Sequence, residues 1–243
     1  MAKLHVVGIG PGDHEDMTLR ADRVLRSCQV IVGYKVYVDL VRDWYPDKEF
    51  RASGMTGEAE RCRLALDLAR QGTETALICS GDSGVYGMAG LAYQLRGGDT
   101  APEIDVVPGL TAACSGAAVL GAPLTHDFAV ISLSDRLTPW ETIEARLRRA
   151  AEGDFSIVLY NPASRGRPDY LRRACGILLE YLPPDRPCGI ARNVGRAGEG
   201  RELLPLESLR DAPADMFCTV FIGNASTQML GDAMVTPRGY RDV

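Results

Sequence analysis

Val6-Val7-Gly8-Ile9-Gly10-Pro11-Gly12-Asp13 and Ser80-Gly81-Asp82-Ser83-Gly84-Val85-Tyr86-Gly87 decide how this chain is read. Each stretch follows a short apolar run and precedes a helical pattern. That is the sequence form of a buried parallel strand opening into a ligand crevice at its carboxyl end. Around these stretches, apolar runs at 4–9, 30–32, 75–79 and 104–107 alternate with helical stripes. Ala21, Val24, Leu25 and Cys28 recur at helical spacing behind Thr18 as N-cap. Cys62, Ala65, Leu66 and Ala69 form a second stripe that stops at Gly72. The run at 104–107 enters Pro108-Gly109-Leu110-Thr111-Ala112, a third loop expected at the same sheet edge. This alternation marks an α/β protein.

The pattern changes after Pro123. Strands are expected at 128–133, 155–160, 188–192 and 219–222, with a short one at 202–204. Trp140, Ile143, Leu147 and Ala150 line one helix; Leu171, Ala174, Cys175 and Leu178 line another. Thr138-Pro139-Trp140-Glu141 reads as a capping box with proline at the first helical position. Helices and strands alternate less strictly here, so a mixed sheet is expected. The chain therefore reads as two α/β domains, 1–122 and 123–243. Residues 106–124 carry no charge and match a bilayer span in length. Pro108, Gly109, Gly116, Gly121 and Pro123 interrupt them, which predicts a turn and a tightly packed internal helix instead.

With 243 residues and 46% hydrophobic content the chain can build a full core without staples. Its seven cysteines are odd in number, scattered and without a CxxC pair. They point to a reducing cytosol, to burial as small hydrophobes and away from a metal site. No signal peptide or membrane helix is read, so a cytoplasmic location is expected. A net charge of −5 counts against nonspecific nucleic-acid binding. Lys3, Lys35 and Lys48 are the only lysines; the other basic residues are arginines. A GC-rich genome gives that bias, and so does a need for guanidinium forks that grip carboxylates.

The first glycine turn departs from a dinucleotide fingerprint. Pro11 removes a backbone donor that a pyrophosphate would use, and Asp13 adds a negative charge there. The acidic residue expected about 20 residues on, to hold a ribose, is absent: residues 30–32 continue into Gly33-Tyr34-Lys35. A glycine-lined, acidic pocket suits a cationic ligand better.

The ordered set GIGPGD, GD followed by VYG, and PGLTA resembles the tetrapyrrole (corrin/porphyrin) methyltransferases over residues 3–240. Narrower features resemble the branch that methylates precorrin-3B at C-17: Gly33-Tyr34-Lys35-Val36-Tyr37, Tyr160-Asn161-Pro162 with Ser164 and Arg165, Ala191-Arg192-Asn193-Val194-Gly195-Arg196, Ile222-Gly223-Asn224-Ala225-Ser226-Thr227, and Thr236-Pro237-Arg238-Gly239-Tyr240. One departure is visible. The wider family has proline after the GD of the second turn where this chain has Ser83, which predicts a less rigid loop.

The resemblance implies a class III methyltransferase fold, S-adenosylmethionine in a cleft between two α/β domains, no metal, a tetrapyrrole substrate and a homodimer. Carried over by motif, the cofactor contacts are Pro11, Ser80, Gly81, Asp82, Val85, Tyr86, Thr111 and Ala112, with Tyr160, Asn161, Arg192 and Asn193 from the second domain. Arg165, Arg196 and Arg238 are the arginines expected to meet substrate carboxylates. In this family methylation is coupled to ring contraction, which needs a general acid or base. His126 and Lys35 are the first candidates, ahead of His5, His14, Tyr34 and Tyr37. Structural readings stand beside these: Pro11 and the glycines as turn formers, Asp82 as a helix cap, Tyr86 as core, Asp13 as a cap near Thr18. Two alternatives remain, the same reaction on cobalt-factor III and, from another class, a nucleotide-binding oxidoreductase or regulatory module.

Overall fold

A computed structural model describes residues 2–54, 56–164 and 166–240. Internal contacts divide the chain into two units, Met1–Ala112 and Ala113–Val243.

The first unit runs β1 (Lys3–Gly8), α1 (Leu19–Ser27), β2 (Val30–Tyr34), α2 (Lys35–Val41), a 3-10 turn (Arg42–Trp44), β3 (Glu49–Ser53), α3 (Glu58–Arg70), β4 (Thr75–Cys79), α4 (Ala89–Arg96) and β5 (Glu103–Val107). All neighbouring strands are parallel, in the order β3-β2-β4-β1-β5. Alternate residues face opposite sides, as strand geometry requires. Leu4, Val6, Leu77 and Cys79 pack with Cys62, Leu66 and Ala92 of α3 and α4, whereas Val7, Ile9 and Ile78 pack with Leu25, Val38 and Val41 of α1 and α2. Both faces are covered, which is why the strands read as continuous apolar runs. Thr18 caps α1 as expected, accepting the Ala21 N–H at 3.1 Å, and Gly72 follows α3 at φ +93°.

The second unit holds α5 (Ala112–Leu120), β6 (Gly121–Ala122), β7 (Phe128–Ser132), α6 (Trp140–Glu152), β8 (Ser156–Tyr160), α7 (Tyr170–Leu178), β9 (Pro187–Arg192), β10 (Gly200–Pro205), α8 (Leu206–Leu209), β11 (Cys218–Ile222), β12 (Gln228–Leu230) and β13 (Ala233–Val235). Its main sheet, β10-β9-β11-β8-β7, is mixed: β7 and β8 run parallel and every other pair is antiparallel. One face is covered by α6, α7 and α8. The other packs Val158, Ala191 and Phe221 against Ala113, Ala117 and Leu120 of α5, with Met234 of β13 in the same cluster.

Three expectations are corrected. The division falls after Ala112, before the expected 122/123 boundary, because α5 packs its buried face on the second sheet. Gly116 lets it approach: a Cβ there would stand 2.9 Å from Phe221. The capping box at 138–141 does not form. Pro139 is the extended residue before α6, at φ −54° and ψ 145°, and no side chain caps that end. Six cysteines are buried, but Cys114, in the first turn of α5, is exposed. No described helix is long and apolar enough to cross a membrane.

Candidate active site

In a parallel sheet all strands end on one edge, and β1 lies between β4 and β5. The three glycine loops therefore meet backbone to backbone. A Cβ on Gly8 would lie 2.6 Å from the Gly81 carbonyl and 2.7 Å from Gly109 N. On Gly10 it would lie 2.3 Å from both Gly81 Cα and the Leu110 carbonyl, and on Gly109 2.3 Å from the Gly81 carbonyl. No side chain fits at these contacts, so glycine is required by approach rather than by turn shape alone. Hydrogen bonds join the loops: Ile9 N–H to the Cys79 carbonyl at 2.9 Å and Gly10 N–H to the Gly81 carbonyl at 3.0 Å. Thr18 adds a third tie, its hydroxyl donating to the Pro108 carbonyl at 3.2 Å.

Asp82 organises this edge. Its Oδ1 accepts the N–H groups of Gly84 at 2.7 Å and Val85 at 3.1 Å, and its Oδ2 accepts that of Gly109 at 3.0 Å. It does not cap α4, whose N-cap is Met88 without a side-chain bond. Ser83 is wholly buried, and its hydroxyl donates to the Val107 carbonyl at 3.0 Å. A hydrogen bond thus supplies restraint where the family proline is missing. Tyr86 is 56% exposed and not core; it sits at φ +53°, a conformation uncommon for a bulky residue. Asp13 accepts the Glu15 N–H at 2.9 Å, closing its own turn rather than capping near Thr18. Pro11 is buried; Ser80, Gly81, Val85, Thr111 and Ala112 complete the same edge. Lys35 opens α2 directly after β2, also at this edge, with its ammonium on Asp39 Oδ2 at 2.7 Å.

The second unit gathers a matching set. β8 and β9 flank β11 and both run antiparallel to it, so they end on one edge. Tyr160 and Arg192 close these strands, and Asn161 and Asn193 follow at φ +54° and +49°. Asparagine tolerates that left-handed conformation better than other side-chain-bearing residues. The Tyr160 hydroxyl accepts the Ala113 N–H at 2.6 Å, Asn161 donates to Ser132 Oγ at 2.9 Å, and Arg192 reaches Glu202 at 3.0 Å and Cys218 Sγ at 3.1 Å. Arg167 ties the loops after β7 and β8, donating to Ser134 Oγ at 2.8 Å and Asp135 at 3.1 Å. The hydrogen bond from Tyr170, with Arg167 beside it, holds the Asp135 carboxyl below its usual range against the opposing effect of burial. Arg196 lies over the Phe217 ring and Arg238 is exposed. Arg165 lies outside the described residues.

His126 is not brought to that edge. It precedes β7, and β7 runs parallel to β8, so it stands at the opposite end of these strands from Tyr160. Its Nε2 donates to the Pro237 carbonyl at 3.0 Å. Beside it the 222–227 and 236–237 motifs form a buried knot: Asn224 N–H to Thr227 Oγ1 at 2.9 Å, Thr227 to Thr236 hydroxyl at 2.7 Å, and Thr236 Oγ1 to the Pro123 carbonyl at 2.8 Å. Those motif residues serve the fold. His5 is also structural, buried between Asp105 at 2.9 Å and Glu74 at 2.7 Å.

The family model described as Tetrapyrrole (Corrin/Porphyrin) Methylases matches residues 3–210, most of both units. The chain belongs to the tetrapyrrole methylase family. Within it, the chain is 44% identical over 238 residues to a protein of Salmonella typhimurium named probable cobalt-factor III C(17)-methyltransferase, covering 98% of this chain and 99% of that one. Among solved structures, the methyltransferase CobJ superposes with a TM-score of 0.90 at 36% identity, covering 98% of this chain and 100% of that chain. Uroporphyrin-III C-methyltransferase from Thermus thermophilus, complexed with S-adenyl homocysteine, follows with a TM-score of 0.71 at 25% identity, covering 91% and 97%. As a tetrapyrrole methylase the chain is an enzyme of the methyltransferase class, and its α/β architecture is that of these neighbours.

Proposed function

We propose that this enzyme transfers the methyl group of S-adenosylmethionine to C-17 of a corrin precursor in cobalamin biosynthesis, with cobalt-factor III as acceptor and ring contraction following. The end-to-end likeness to the Salmonella protein carries this reading. Precorrin-3B, the metal-free counterpart, is the second acceptor; the C-17 branch motifs suit both compounds alike.

The loops fit such a donor. Gly81 sits at φ +64°, and a Cβ on it would stand 3.7 Å from the Leu110 carbonyl and 3.8 Å from Ala112 N, inside a cradle of backbone carbonyls and N–H groups. The bound donor supplies a methyl on a sulfonium, which a ring carbon attacks as the C–S bond breaks and a neutral thioether leaves. Positive charge disappears from sulfur in this step, so the chain's task is alignment. Holding two reactants in line lowers a barrier by about 7–11 kcal/mol. Pro11, Ser80, Gly81, Asp82, Val85, Tyr86, Thr111 and Ala112 are assigned to the donor, with Tyr160, Asn161, Arg192 and Asn193 contributing from the second unit. Arg196, Arg238 and Arg165 are assigned to the acceptor's carboxylates. Lys35 is the proposed acid or base for ring contraction; His126, first candidate beside it from the sequence, stands at the other end of its strands and is not given that role.

The test is incubation of the protein and S-adenosylmethionine with cobalt-factor III and, separately, with precorrin-3B, read by mass spectrometry. One added methyl on the cobalt compound is the expected result. Methylation of precorrin-3B alone selects the second acceptor, and methylation of neither overturns the proposal.

A further inference from the structure

Arg61, on α3, is the only buried cation among the described lysines and arginines, at 6% exposure. Its Nη1 donates to Ser53 Oγ at 2.5 Å and to the Gly54 carbonyl at 3.3 Å. No carboxylate among the described residues pairs with it, whereas more exposed arginines such as Arg20, Arg148 and Arg201 each hold at least one. A guanidinium is always charged and carries five N–H donors. Withdrawing that charge from water is costly unless an anion joins it. Among the described residues the only side-chain nitrogens both sealed from solvent and unpaired are Nε of Arg96 and of Arg186. Arg61 is not among them: Nη1 carries its bonds, and the rest of its fork keeps a small contact with solvent by which a ligand group could reach it.

Its place in the fold is the ligand edge. Ser53 ends β3 in register with Tyr34, the last residue of β2, and both strands run parallel to β4. At the usual strand spacing the end of β4 is about 10 Å away. Burial pushes the thiol of Cys79, which closes β4, up to about 12, with the Met88 N–H and the Arg61 charge pulling the other way. The loop leading into α3 is strained: Thr56, β-branched, sits at φ +74°. Strain of this kind gathers at ligand clamps.

We propose that Arg61 is a carboxylate receptor, its planar fork taking a carboxylate that arrives with a ligand. Two sources share that chemistry, the amino-acid end of the methyl donor and an acetate or propionate arm of the tetrapyrrole. The inference rests on the methyltransferase reading above.

The test is calorimetric titration of the full-length protein with S-adenosylhomocysteine and, separately, with cobalt-factor III, in wild type, Arg61→Met and Arg61→Lys. Arg61→Met is expected to weaken one ligand about ten- to a hundredfold while the other stays within about twofold. Loss on S-adenosylhomocysteine assigns the donor's carboxylate; loss on the tetrapyrrole assigns the acceptor's. Arg61→Lys, which keeps the charge but not the fork, is expected to recover part of the loss. Unchanged affinity for both ligands, or an equal loss for both, overturns the proposal. Where circular dichroism shows Arg61→Met unfolded, Arg61→Lys decides: a selective loss for one ligand supports the receptor and none overturns it. Wild type binding neither ligand brings down the methyltransferase reading itself, an outcome distinct from an indifferent Arg61 variant.

Discussion

Asp82 Oδ2 accepts the Gly109 N–H at 3.0 Å, so one carboxylate in the loop after β4 holds the loop after β5 in place. With Oδ1 taken by Gly84 and Val85, the charge serves the backbone first. Asp82→Asn turns an NH2 toward one of these donors and leaves it unsatisfied. Hydrogen bonds to a charged group are worth about 1.5–3 kcal/mol, so S-adenosylhomocysteine affinity is expected to fall about ten- to a hundredfold. A residue acting as counter-charge would discriminate the sulfonium of S-adenosylmethionine from the neutral thioether. Equal losses for the two, measured by calorimetry, are expected of a loop clamp.

Gly10→Ala places a methyl 2.3 Å from backbone atoms of both neighbouring loops, and backbone does not swing aside. Destabilisation of about 2–3 kcal/mol with loss of donor binding is expected. Gly176 makes the control. It lies inside α7 with nothing within 4 Å of a Cβ, so Gly176→Ala is expected to stabilise by about 0.5–1 kcal/mol. Urea unfolding of both variants separates the two kinds of glycine.

Acid stability is expected to hinge in part on Asp22. Burial works to raise its pKa, but hydrogen bonds from Arg26, Tyr45 and His14 overcome this and lower it from 3.8 to about 2. A depressed carboxyl stabilises the fold above its unfolded value and loses that contribution as pH falls toward its folded value. The window is thus about pH 4 down to about pH 2, with a contribution on the order of 2 kcal/mol. Asp22→Asn is expected to be less stable than wild type near neutrality and to converge with it at the bottom of that window, as followed by urea midpoints.

Lys35 and His126 stand in different settings, one at the ligand-loop edge and one on the Pro237 carbonyl, outside the buried Thr227–Thr236 knot. Positioned proton transfer contributes about a hundredfold or more. Lys35→Ala is therefore expected to slow ring contraction at least tenfold, and His126→Ala to leave it within about twofold. Quenched-flow mass spectrometry of the contracted product decides; conversion within twofold in the double variant removes both from the chemistry.

The first unit was legible in outline because its strands are apolar on both faces and punctuated by glycine. Thr18, Gly72 and the three loops all stand where the residues place them. What stayed hidden was short or solvent-facing. β3, reading Glu49-Phe50-Arg51-Ala52-Ser53, is an edge strand without a buried residue, so no apolar run announces it. α2 begins inside the Gly33–Tyr37 motif with no side-chain cap at its N-cap, Tyr34. β12 and β13 have three residues each, too few for an alternation to register. The loop residues of the candidate site were read from their motifs, but the bonds of Asp82 and Ser83 depend on which loops meet. Arg61 did leave a trace. It falls on the apolar stripe of Cys62, Ala65, Leu66 and Ala69, where a solvated arginine does not belong.

The allegiance of α5 dictates how the protein can be dissected. A fragment starting at residue 123 would leave Val158, Ala191, Phe221 and Met234 with bare apolar surface, and would invite precipitation. Anyone wishing to express the carboxyl-terminal half alone should open the chain just after Ala112, so that the helix travels with the sheet it shields.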